Sequence, residues 1–212
     1  MLRRIVVATL ALTSIASAAT PAGSVAAVLP AVSITRGAGS TAAKLDAKKG
    51  TGIEPGDLLR TNDQGRVRLK MTDQSLISIG VNSELRIVRH DTASQQTALQ
   101  LAAGKLRARV AKITRAGGNF EVSTPIAVAG VIGTDFGVDA SDPDLTKFVC
   151  LSGTVEIRSA DPSVSGTIQC HGGSTVTVRK GQPPDKPESA TQDQMELWRN
   201  VNEPDERVRT PY

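Results

Sequence analysis

The chain has 212 residues, enough for one domain with its own core. Aromatic residues are 2% of it, so a core must be built from Val, Ile, Leu and Ala. The formal charge is only +4, and near balance without stacking rings argues against a nucleic-acid partner.

The first residues, "MLRRIVVATLALTSIASAAT", place Arg3 and Arg4 before a short apolar run and close on Ala16-Ser17-Ala18. That order is the layout of a secretory signal peptide, and the run is shorter than the roughly 20 residues that span a bilayer. Residues 1–19 are therefore expected to be removed on export, leaving 23 basic and 21 acidic residues, or +2. The expected location is the periplasm, with no membrane span after cleavage. Residues 20–52 are expected to lead into the first strands, loosely as far as about residue 29, with a polar loop over residues 39–52.

Residues 53–181 read as strands and turns. "RVRLKM" sets Val67, Leu69 and Met71 against Arg66, Arg68 and Lys70, the period of two that marks a half-buried strand. "SLISIG", "ELRIV", "ALQLAAGKLRARV", "FEVST", "FGV", "KFVCLSGTVEIR", "TIQC" and "STVTVRKG" follow, punctuated by turn residues at short intervals. Many short strands predict an all-β domain, a two-sheet roll or sandwich or a short β-helix-like domain. "LAAGKLRA", "LSGTVEI" and "HGGSTVTV" echo one another: small residues, a glycine, then an alternating strand. Residues 182–212 turn polar and Pro-rich, with one helix expected over residues 191–201. Met195 and Trp198 share a face of that helix, and the tail folds back as a lid, docks on a partner or stays disordered.

Cys150 and Cys170 are an even pair, and in an exported protein they are expected to form a disulfide. A metal site built from Cys150, Cys170 and His171 lacks a fourth ligand. His90 and His171 have no partner nucleophile: no G-x-S-x-G elbow occurs. Asp135, Asp139, Asp142 and Asp144 bracket a proline turn, where carboxylates ordinarily hold backbone N–H groups. No catalytic centre, metal or cofactor is expected. Lys105, Arg107 and Arg109 alternate with Leu106 and Ala108; they are the solvent face of a strand or, with Trp198, a candidate partner surface. "GVIGTDFGVD", residues 130–139, carries neither a P-loop nor a dinucleotide fingerprint. Its glycines suit a strand corner, with Phe136 and Val138 facing the core.

"TPIAVAGVIGTDFGVD" resembles the hallmark run of the FecR-type periplasmic domain, through Thr124, Pro125, Gly130, Gly133, Thr134, Phe136 and Val138. "IEPGDLLRTNDQGRVRLKMTDQSLISIGVNSELRI", "LQLAAGKLRARV" and "VCLSGTVEIR" are similar to other landmarks of that family, in the same order. Ile132 stands where the family commonly has arginine. The resemblance implies a non-enzymatic interaction and signalling module that binds an envelope protein, without the cytoplasmic and transmembrane parts of sigma-factor regulators. The alternative is an envelope-structure protein that binds polysaccharide or peptidoglycan, against which the scarcity of aromatics counts. The oligomeric state is left open.

Overall fold

The computed structural model describes residues 20–200. The expected leader (residues 1–19) and the end of the tail (residues 201–212) lie outside the described residues. The strands are β1 (Gly23–Val28), β2 (Val32–Arg36), β3 (Ala43–Asp46), β4 (Gly52–Ile53), β5 (Leu58–Thr61), β6 (Val67–Met71), β7 (Leu76–Ile79), β8 (Glu84–Asp91) and β9 (Gln96–Arg109). They continue as β10 (Asn119–Ser123), β11 (Ala127–Val131), β12 (Asp135–Asp142), β13 (Leu145–Ser152), β14 (Thr154–Ser159), β15 (Thr167–His171), β16 (Ser174–Arg179) and β17 (Glu188–Ser189), followed by helix α1 (Gln192–Asn200). Among the described residues no helix is long and apolar enough to cross a membrane.

All strands join one open hydrogen-bonded sheet, which closes into no barrel. Its first layer runs β4-β1-β6-β7-β9-β12-β13-β16-β17. Its second runs β3-β2-β5-β8-β9-β10-β11-β14-β15. Strand β9 belongs to both: residues 96–103 pair in the second layer and residues 104–109 in the first. Inward residues of both layers, such as Leu69, Ile77, Phe136 and Phe148 from one and Leu59, Leu85, Val122 and Ile157 from the other, form a single buried cluster. The expected all-β fold is therefore a two-layer one.

The echoed segments of the sequence are the corners at which the chain changes layer. "LAAGKLRA" bends β9 at Gly104, "LSGTVEI" carries β13 into β14, and "HGGSTVTV" carries β15 into β16. Gly104 lies at φ +88 with Ser83 pressed against it, so neither backbone nor space admits a side chain. The pairing of β10 with β9 is parallel, the others antiparallel. Parallel neighbours need a long crossover; here the far half of β9 supplies it, one β-helix-like coil inside an antiparallel sandwich.

The strands begin earlier than expected. Residues up to about 29 are not loose: β1 pairs with β6 along its length, and Val25 is buried, because alternating small and apolar residues at 22–28 fill the sheet edge. Residues 39–52 are not wholly loop either, since they contain the exposed β3. Cys150 and Cys170 are both buried. One faces inward from β13 and the other from β15, strands of opposite layers. The expected disulfide is not formed in this structure, where both are free thiols. The neighbouring Cys170 thiol, joined by burial, pushes the Cys150 thiol far above its ordinary range, and Cys150 in turn holds Cys170 below its own.

Candidate functional site

The outer face of the first layer brings the predicted basic residues and the predicted tail helix together. Register places Arg107 of β9 opposite Gly137 of β12, and Gly137 opposite Val149 of β13. Val149 and Leu151 point outward yet are buried, because Met195 and Trp198 of α1 lie on them as a second apolar cluster. The Trp198 ring rests on Gly137: a Cβ there would stand 2.4 Å from its Cε3. Gly137 is thus a seat, and the tail helix is docked through the shared Met195–Trp198 face.

Both ends of α1 are held. Thr191 and Gln194 form a reciprocal cap: the Gln194 N–H donates to Thr191 Oγ1 (3.2 Å) and the Thr191 N–H to Gln194 Oε1 (2.9 Å). At the other end Arg107 Nη1 donates to the Arg199 carbonyl (2.9 Å), a cation at the negative pole of the helix. Arg107 in turn is fixed by a two-point bond to Asp135, Nε to Oδ1 at 2.9 Å and Nη2 to Oδ2 at 2.8 Å. Its side chain is 8% exposed, so it is not the solvent-facing charge that alternation suggested. Trp198 likewise is buried rather than displayed. Lys105 and Arg109 remain at the surface and pair across strands with Asp139 (3.3 Å) and Asp135 (3.7 Å). A groove of about 270 Å3 runs beside the helix, lined by Leu197, Trp198, Lys147, Thr177 and Glu188.

Trp198 is the single tryptophan of the chain, so its emission reports the docking directly. Gly137→Val should expel the ring, shifting emission to the red and making the tail protease-sensitive. The melting temperature should change little, because valine suits a strand and an isolated nine-residue helix adds little stability of its own. Unchanged emission would show that the ring does not need that seat.

The other sequence candidates sit in structural roles. Thr124 is buried at the turn from β10 to β11, where its Oγ1 accepts from the Ala127 N–H (3.0 Å) and meets Thr146 Oγ1 (3.0 Å); Pro125 follows it in that turn. Gly133, at φ +118, turns the chain from β11 to β12, and Thr134 Oγ1 ties the corner to the Thr154 carbonyl (2.9 Å). Phe136 and Val138 face the core as expected. Asp139 and Asp142 accept from the backbone N–H groups of Ser141 and Asp144, which is turn chemistry. His90 is buried between Thr72 (2.7 Å) and Thr97 (2.9 Å), and burial lowers its pKa. His171 is on the outer side of β15, 3.0 Å from Thr154 Oγ1, and so on the opposite face from Cys170. Sequence reasoning missed Gly137 as a seat and Arg107 as a helix anchor. The signal was present only as an i, i+3 apolar pair in the tail and an arginine within a strand.

The fold is thus a two-layer all-β domain with an outer face that grips a short helix. Residues 57–156 match the model of the FecR protein family. Two crystal structures described as a "putative anti-sigma factor" from Parabacteroides distasonis ATCC 8503 have the same fold, each with a TM-score of 0.55 and 16% identity. Each match covers 66% of this chain and 63% of that one, so the chain spans less than two thirds of the length of the structures it matches. No curated protein matches the sequence.

Proposed function

We propose that this chain is a non-enzymatic regulatory module of the FecR type, exported to the periplasm, which binds an envelope protein through the first-layer face that carries α1. One observation supports the reading most: a face built from the FecR hallmark segment, with Arg107, Asp135 and Gly137, already recognises a short amphipathic helix. The description of the structural neighbours as anti-sigma factors favours a regulator, and the amino-terminal leader pattern favours export. Leu197 is 52% exposed beside the groove, where a partner side chain would meet both α1 and β16.

A photo-crosslinking residue at position 197, activated in living cells, tests this. One discrete protein adduct, absent when the probe is moved to exposed Lys44 on β3, is the expected result. No adduct at 197, or the same pattern from both positions, would overturn it.

A further inference from the structure

The second layer carries a separate feature on the opposite side of the molecule. Gly130 sits inside β11, and neither usual reason for a glycine applies. Its backbone is not among the positive-φ glycines, and a Cβ built on it would meet only Asn119 Oδ1, at 3.7 Å. Glycine in a strand interior weakens the strand relative to alanine, through its extra backbone entropy and the side chain it fails to pack. What it contributes here is open space: Gly130 is the floor of a cleft of about 500 Å3, within the roughly 300–1,000 Å3 of small-molecule sites.

Register builds the walls. Gly130 is opposite Glu156 of β14, and Glu156 is opposite Gln169 of β15. Asn119 of β10 and Thr154 of β14 close the cleft toward the Gly133 corner. The neighbouring Glu121 is drawn to Arg158 (3.9 Å), which leaves Glu156 as the charged group lining the cleft. The cleft therefore offers two carboxamides, one carboxylate and hydroxyls. Ile132, 66% exposed, projects at its rim as an aliphatic contact.

We propose that this cleft binds a glycan bearing N-acetylated amino sugars. An acetamido group has an N–H, a carbonyl and a methyl on one short arm. Glu156 or the Gln169 carbonyl accepts from the N–H, the Asn119 carboxamide donates to the carbonyl, and Ile132 receives the methyl. The sugar hydroxyls are met by Gln169 and Thr154. Such recognition needs no aromatic platform, so the scarcity of rings is no obstacle. A free amine would meet Glu156 but forgo the amide-carbonyl and Ile132 contacts; a plain glucan brings a 2-hydroxyl in place of the acetamido arm, with neither the amide carbonyl for Asn119 nor the methyl for Ile132.

Amide-resonance titration of the labelled protein with the N-acetylglucosamine trimer, the glucosamine trimer and cellotriose tests the assignment. The acetylated trimer is expected to shift Gly130, Ile132, Thr154 and Gln169; cellotriose is expected to leave them in place, and the glucosamine trimer, held by Glu156 alone, to leave Ile132 in place. Gly130→Val fills the floor on a backbone that accepts valine, and should abolish the shifts while Trp198 emission and melting temperature hold. Asn119→Ala, which removes no buried contact, should weaken binding independently. Absence of shifts with the acetylated trimer, equal shifts with cellotriose, or shifts that survive both variants would overturn the proposal.

Discussion

Gly104→Ala should be the most damaging single-methyl change in the β domain. The added Cβ would lie 2.2 Å from Ser83 Oγ and 2.5 Å from Ser83 Cα, and φ is +88. Ser83 cannot withdraw freely, because its Oγ accepts from the Lys105 N–H (2.9 Å) and its N–H donates to Thr61 Oγ1 (2.9 Å). A left-handed backbone costs a non-glycine residue about 1–2 kcal/mol, and forcing atoms into a packed site about 1–3 kcal/mol more. A total of about 2–5 kcal/mol would lower the melting temperature by about 5–20 °C in a domain of this size. Gly117→Ala is the control: φ is +78, yet no atom lies within 4 Å of the new Cβ. It should show the backbone cost alone. Equal losses in the two variants would mean that the Gly104 corner is not crowded and that β9 can change layer without it.

The second large effect concerns Cys150 and Cys170. In this structure they are buried free thiols facing inward from strands of opposite layers; in an oxidising compartment such a pair is expected to form a bridge. Closing a loop of about 20 residues contributes roughly 3 kcal/mol, chiefly by restricting the unfolded chain. Protein recovered from the periplasm should titrate no free thiol under denaturing conditions, and reductant should lower its melting temperature by about 6–12 °C. The double variant Cys150→Ala, Cys170→Ala should melt near the reduced protein and ignore reductant. Both sulfurs are buried in the folded protein, out of reach of an oxidant, so folded reduced protein should oxidise slowly. Two titratable thiols in exported protein, or a melting temperature indifferent to reductant, would remove the bridge from the account.

Much of the core was legible in the sequence because strand alternation is a local property. Val67, Leu69 and Met71, or Val155 and Ile157, declare their buried side by period two alone, and the structure buries them. The β1 strand was harder, since alanine, serine and glycine carry little pattern; it forms because the edge of β6 is there to pair with it. The partner-surface reading of Lys105, Arg107 and Arg109 was half legible. Alternation placed all three on one outer face, but could not tell that α1 would cover Arg107 and leave the others at the surface.

"GVIGTDFGVD" divides along the same line. By itself the sequence determined that this is a glycine-punctuated corner with Phe136 and Val138 turned inward, because turn chemistry and alternation act over a few residues. Only the tertiary structure gave each glycine its own reason: Gly133 for a left-handed corner, Gly137 for a ring arriving from position 198, Gly130 for an open floor between β10, β14 and β15. Those reasons depend on what approaches across space. A residue without a side chain carries no mark in the sequence of whether its missing atoms make room for the backbone, for a neighbour or for a ligand.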